Sequence, residues 1–229
     1  MPRKARLFVP GATYPVYCRV ARGEFVFEDP ENAEVFIETL CDVRDRDGLS
    51  ILAWCLMSNH YHIVIETASV PLWRSMARLQ GTIARKHNRG RGVLGRLWQS
   101  RYRARFIDSN DYFKMVVAYV HLNHVAAGLV TDPADYPLSG HREAIGSRPP
   151  SILDVKSLLE VFDATAPSLM RADYLNWVRL LRKIGGPTRG SWIFRGGRMR
   201  RTKKRSRIHG VMPRPRPSIK KELAKIGCP

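Results

Sequence analysis

Two histidines, His60 and His62, flank Tyr61 at the start of an apolar, β-branched run that ends near Glu66 and reads as a strand. Side chains alternate in direction along a strand, so both imidazoles project from one face and Tyr61 from the other. Imidazoles placed this way can share a divalent ion, and they can equally be two surface or core-edge histidines. A pair of imidazoles leaves a metal shell incomplete. It wants an oxygen ligand, above all for Mg²⁺ or Mn²⁺, which favour oxygen. Further along, Tyr119 and Asn123 stand four residues apart in a segment of helical pattern, putting a phenol and a carboxamide one turn apart on one face. The amide carbonyl is the kind of ligand the histidine pair lacks, and a helix packed beside the strand would hold the phenol about one phosphate's width from the ion. Taken alone, Tyr119 reads as well as a half-buried helix tyrosine. Tyr112 is a second phenol on that helix, but it lies about three turns from Asn123, roughly 16 Å at ~1.5 Å per residue.

The elements that must position these groups are legible in outline. Tyr14 to Val20 is rich in β-formers and follows a turn signal at Pro10-Gly11, so it is a first strand. Asp29-Pro30, Glu31 and Glu34 start a helix that carries Val35, Phe36, Leu40 and Val43 at helical spacing until Asp47-Gly48 ends it. Leu49 to Met57 and His60 to Glu66, separated by Ser58-Asn59, have the pattern of a hairpin. Pro71 opens a basic helix with Leu72, Met76, Leu79 and Ile83 as its buried stripe, and Asn88 to Gly95 is a glycine- and arginine-rich loop. From Leu97 the period becomes two: Trp98, Tyr102, Ala104 and Phe106 face a core, and Gln99, Arg101, Arg103 and Arg105 line the other side. Asp108 to Asp111 supply capping side chains for a helix from Tyr112 to Ala127, ended by Gly128.

This order, β-α-β-β-α-β-α, predicts an α+β fold of the ferredoxin-like or RRM-like kind: an antiparallel four-stranded sheet with helices on one face. After Pro149-Pro150, helical patterns at Ile152 to Phe162 and Leu169 to Ile184 form a small appendage. The expected division is a main domain over residues 1–148, the appendage over 149–186, and a basic tail over 187–229 that stays disordered until it meets nucleic acid.

A formal charge of +19 calls for a polyanionic partner. Residues 1–66 hold seven Lys/Arg against ten Asp/Glu, whereas residues 67–107 hold ten basic residues and no acid, and residues 151–229 hold nineteen against five. A single charge run is often only a solvated face, but two separate clusters favour nucleic acid. The Arg101, Arg103 and Arg105 face is a natural floor for a phosphate backbone, with Arg74, Arg78, Arg85, Lys86 and Arg96 as further candidate DNA contacts. Trp73 and Trp98 fit a core role better than a stacking one. No leader and no bilayer-length apolar run is evident, which points to a cytoplasmic, nucleoid-associated protein. Cys18, Cys41, Cys55 and Cys228 lack C-x-x-C or framework spacing and read as buried or incidental thiols.

As a set, Met57-Ser58-Asn59-His60-Tyr61-His62, Trp98-Gln99-Ser100-Arg101-Tyr102, Tyr119-Val120-His121-Leu122-Asn123 and Ala127-Gly128-Leu129-Val130 resemble the REP-associated tyrosine transposases. These are relatives of the one-tyrosine insertion-sequence transposases among the HUH single-strand nucleases. Pro10-Gly11-Ala12-Thr13-Tyr14 and Tyr136-Pro137-Leu138-Ser139 match as well, so the resemblance spans about residues 6–145. It implies a nucleophilic Tyr119, an Mg²⁺ or Mn²⁺ ion held by His60, His62 and Asn123, and a hairpin-forming single-stranded DNA substrate cut through a 5′-phosphotyrosine. The chain departs from the family at Pro15, where histidine is usual, and at His124, where proline is usual; the second departure leaves the helix free to run on past Asn123. The rival reading is a non-catalytic, domesticated DNA- or RNA-binding protein on an RRM-like fold, although no K/R-G-F/Y-G/A-F-V-type strand motif is present.

Overall fold

The computed structural model describes residues 9–162 and 166–183, and the backbone of 193–195 and 198–200. β1 (Thr13–Arg19), α1 (Pro30–Asp47), β2 (Ser50–Met57), β3 (His60–Glu66), α2 (Leu72–Arg91) and β4 (Arg103–Ala104) follow one another in the expected order. The four strands form one antiparallel sheet in the order β2-β3-β1-β4, the split βαβ topology. The start and stop signals act as the sequence implies. Asp29 caps α1 by accepting the Glu31 N–H at 3.1 Å, and Gly48 ends it in the left-handed conformation at φ 63°.

The two crossover helices cover one face of the sheet. Tyr61 points into that layer, its ring 5.1 Å from Phe36 of α1 and its hydroxyl accepting from Gln80 Nε2 of α2 at 2.9 Å. Leu72, Met76, Leu79 and Ile83 are buried as expected. Trp98 joins them through its ring contacts with Tyr61 and Phe27 and an indole N–H donated to the Gln80 carbonyl at 2.9 Å. Trp73 does not take the core role expected of it: it is 51% exposed, with the Arg74 guanidinium 5.2 Å from its ring centre. α2 also outlasts its expected end, running through Asn88 to Arg91 before Gly92 caps it at φ 62°.

The fourth strand is shorter than its alternation suggests. Trp98 makes a single bridge to Val20, the chain bends through Gln99 to Arg101, and only Arg103–Ala104 pairs with β1. The expected inward place of Phe106 is a correction: Phe106 is 50% exposed and Ile107 is the buried residue, its N–H donating to the Thr13 carbonyl at 3.0 Å. That bond keeps the register that Val16 with Ala104 and Tyr17 with Arg103 set, so Ile107 shares the face of Arg103, and Phe106 takes the other face at an exposed edge against Tyr14.

α3 (Asn110–His121), capped by Ser109, lies against β2 and β3 on the opposite face of the sheet. The helix does not run on unbroken to Ala127. Leu122 adopts φ −103° and ψ 2°, and a separate turn, α4 (Asn123–Ala126), follows before Gly128 at φ 73°. His124 is packed rather than directed at the site: its ring stacks on Tyr136 at 4.4 Å and its Nδ1 lies 3.5 Å from Cys55 Sγ. The Tyr136 to Gly140 stretch covers the edge of β2, with Leu56 N–H donating to Leu138 and Gly140 N–H to Trp54, which gives that edge its missing partners. A Cβ at Gly140 would stand 2.9 Å from the Trp54 ring, so only glycine lets the segment lie this close.

The C-terminal helices pack on this layer. α5 (His141–Ala144), α6 (Val155–Glu160) and α7 (Pro167–Lys183) share one apolar cluster with the sheet, α7 running along α3. The buried Glu143 carboxylate ties the segment down by accepting the N–H groups of Ser151, Ile152 and Leu153 at 2.9, 3.0 and 2.9 Å. Within the expected disordered tail, Ile193–Arg195 and Arg198–Arg200 pair as a short antiparallel ribbon, β5 and β6, and the rest of that expectation lies outside the described residues. Among the described residues no helix is long and apolar enough to cross a membrane.

Burial holds His124 and His141 near a pKa of about 4, against the ordinary 6.5. Between those values the unfolded chain binds protons that the folded chain refuses, so stability is complete above pH 6.5 and falls as the pH drops towards 4. Thermal melts from pH 7 to pH 4 should therefore show a declining Tm, and the decline should be shallower in His141→Gln. A Tm unchanged between pH 7 and pH 5 would contradict this account.

Candidate active site

Strand register assembles the site. In β3, His60 and His62 point away from the crossover helices, and the antiparallel pairing sets Arg19 opposite His60 and Tyr17 opposite His62. The Tyr17 ring packs on both imidazoles, at 5.7 Å from His60 and 4.9 Å from His62, and the imidazoles are 5.2 Å apart. α3 closes the layer from above, with the Tyr119 ring edge-on to His62 at 5.5 Å. Asn123 opens the turn that follows the Leu122 break, and its side chain is near enough to Tyr119 to counter part of the rise that burial imposes on the phenol. His60, His62 and Tyr119 thus come together, with Asn123 one turn further on. Tyr112 sits elsewhere, under the Arg105 guanidinium at 5.8 Å.

The protonation states suit ligands rather than bound protons. His62 is fully buried, neither ring nitrogen has a hydrogen-bond partner among the described residues, and burial, reinforced by His60, holds its pKa well below 6.5. A buried polar group left without a partner costs roughly 1–3 kcal/mol, so the His62 ring suits a place where an ion or a water meets it. His60 Nδ1 lies 2.8 Å from Asn59 Oδ1, which can only accept; Nδ1 therefore carries the hydrogen and Nε2 the lone pair. Two imidazoles on one face of the sheet, one of them with neither ring nitrogen partnered among the described residues, are donors of the kind a divalent cation takes. No cluster of three His, Cys, Asp or Glu exists among the described residues, so a third protein donor beside this pair would have to be of another residue type. Burial pushes the Tyr119 phenol well above its ordinary value of 10, and Asn123 opposes that shift. At neutral pH Tyr119 is a protonated phenol.

Sequence reasoning missed three residues here. Asn59 fixes the His60 tautomer, Tyr17 packs on the histidine pair, and Arg19 stands on the same face. The alternation of β1 could have found the last two, since positions 17 and 19 share a face. The basic candidates divide between the two sides of the sheet. Arg103 pairs opposite Tyr17 and, with Arg19, lowers that phenol against the larger effect of burial, which leaves it at about 12. Arg101 precedes it, exposed. Arg74, Arg78, Arg85 and Lys86 lie on α2, in the opposite layer, and Arg96 is exposed in the loop after it. Two of these are engaged with α1: Arg78 pairs with the buried Asp47, and Lys86 Nζ lies 3.6 Å from Glu38.

Sheet, crossover helices and a phenol-bearing helix over a histidine pair define a ferredoxin-like fold with a candidate site on the face that α3 covers. The chain belongs to the IS200-like transposase family, whose model matches residues 9–123. Its fold is similar to that of a REP-associated tyrosine transposase solved bound to a REP hairpin, at 17% identity and a TM-score of 0.56 over 67% of this chain and 94% of that one. A crystal structure from Deinococcus radiodurans R1, assigned as a transposase, aligns at 20% identity over 49% of this chain and 92% of that one, with a TM-score of only 0.37. Among curated proteins, none matches.

Arg78→Ala leaves Asp47 buried and uncompensated. It should lower stability by about 2 kcal/mol, less than the ~3–5 kcal/mol of a fully buried pair because Arg78 is partly solvated. Denaturant melts measure this, and a change under about 0.5 kcal/mol would show that the pair is not structural.

Proposed function

We propose that this transposase binds hairpin-forming single-stranded DNA and cleaves it by transesterification, with Tyr119 as the nucleophile. The observation that carries the reading is the edge-on approach of Tyr119 to His62, whose two ring nitrogens have no partner among the described residues. His60, His62 and Asn123 would hold Mg²⁺ or Mn²⁺, which when bound polarises a phosphate oxygen and favours ionisation of a nearby phenol.

The chain's own residues do the rest. Asn59 sets the His60 tautomer, with the hydrogen on Nδ1, and burial keeps His62 neutral. Asn123 orients the Tyr119 hydroxyl. The phenol oxygen forms a bond to phosphorus, the bond from phosphorus to the 3′ oxygen breaks, and the phenol's proton ends in solution or on the departing 3′-hydroxyl. DNA is left as a 5′-phosphotyrosine. Because that ester conserves the bond energy, a second 3′-hydroxyl can attack it and rejoin the strand without a nucleotide cofactor.

Arg19 and Arg103 stand on the site's own face and suit the phosphates nearest the cut, while exposed Arg101 and the α2 cations suit more distant parts of a folded strand. The basic residues after 187 add affinity that is largely independent of sequence. The rival reading, a binder without catalysis, has no specific use for a phenol set edge-on to a buried histidine pair.

Incubating the protein with labelled hairpin oligonucleotides and Mg²⁺ or Mn²⁺ should yield a denaturation-resistant adduct that EDTA prevents and Tyr119→Phe lacks. Failure of the wild type to form any adduct with either ion would leave only the binding reading. Deleting residues 187–229 should weaken binding and flatten its salt dependence while sparing cleavage at saturating protein; loss of cleavage in that variant would refute this division of labour.

A further inference from the structure

The helix that carries Tyr119 is gripped from behind. On α3, Lys114 and His121 lie seven residues apart, two turns along one stripe of the helix, and both meet α7. Lys114 Nζ is 3.3 Å from Asp173 Oδ2, with both side chains mostly buried. His121 Nδ1 lies 2.7 Å from the Tyr174 hydroxyl, and the same hydroxyl lies 2.6 Å from His141 Nδ1, all three residues being buried. A phenol has one proton, so Tyr174 donates to one imidazole and accepts an N–H from the other. The two imidazoles must therefore hold opposite tautomers. A latch of this kind has one satisfied arrangement and fixes its members more tightly than apolar contact alone.

His121 lies two residues after Tyr119 and two before Asn123, at the point where the helix breaks at Leu122. A break is where a helix end has the greatest freedom to fray or swing, and here the Tyr174 hydroxyl is the group that ties the last turn of α3 down. The family model stops at residue 123, so α7 lies outside it. We propose that Tyr174 is a positioning residue: through His121, with His141 as its second anchor, it sets the last turn of α3 and hence the placement of Tyr119 and Asn123 over the histidine pair. The catalytic consequence rests on the function proposed above. The appendage is then part of the catalytic apparatus, acting from the side of the helix away from DNA.

The test is Tyr174→Phe in the full chain, which keeps the ring packed on Phe162 at 5.6 Å and removes only the hydroxyl. Three quantities are read: the first-order rate of adduct formation with Mn²⁺ at saturating labelled hairpin, the Kd for the same oligonucleotide in EDTA, and amide hydrogen exchange along the chain. The rate should fall roughly ten- to a hundred-fold, because small misplacements of a reacting group cost that much. The Kd should stay within about two-fold, and exchange should quicken over residues 115–123 but not in β2 or β3. Asp173→Asn, which loosens only the Lys114 end, should lower the rate less. A rate within about two-fold of wild type in folded Tyr174→Phe overturns the proposal, as does a loss that appears in Kd alone or exchange that quickens evenly through the sheet. Should the wild type form no adduct, the nuclease reading falls and the latch is judged by exchange: faster exchange confined to residues 115–123 supports it, and unchanged exchange there overturns it.

Discussion

The site depends on α3 being pressed onto the face of the sheet that the crossover helices leave open. Without that contact His60 and His62 would be two solvated histidines at the base of a hairpin, and Tyr119 a surface phenol. With it, His62 is sealed from water, held neutral and left with two nitrogens that no described residue satisfies. A buried polar group of this kind asks for an explanation, a bound ion or water among them. Every other feature of the site, from the Asn59 bond that sets the His60 tautomer to the Asn123 side chain near the phenol, sharpens what that packing creates.

The same packing explains the division of labour between the two layers. The layer formed by α1 and α2 is structural: Tyr61 fills it, and Asp47 and Glu38 take up two of the α2 cations as ion pairs. The layer beneath α3 holds the candidate site, with positive charge supplied by strand residues, Arg19 and Arg103, close to the histidine pair. A β-sheet separates the two functions without further machinery, because consecutive side chains take opposite sides.

The departures from the family pattern are absorbed by the chain's own packing. His124 does not let the helix continue. Its ring stacks on Tyr136 and reaches Cys55, so tertiary contact holds the turn after Asn123. Pro15 lies within β1, its φ suited to an extended strand, and the strand pairs across it on both sides of the residue.

The sequence by itself determined the order of elements, the outward pairing of His60 with His62, the one-turn spacing of Tyr119 and Asn123, and the caps at Asp29, Gly48 and Ser109 or its neighbours. These rest on local periodicity and backbone preference, which a short window of residues contains. Tertiary structure alone decided the rest: that α3 covers the histidine face, that Phe106 turns out while Ile107 turns in, that Trp73 is exposed, and that α7 grips α3 through Tyr174. Each of these depends on contacts between residues far apart in the chain. No local pattern encodes which of two sheet faces a later helix will cover, because the free energy that decides it comes from burying both surfaces together.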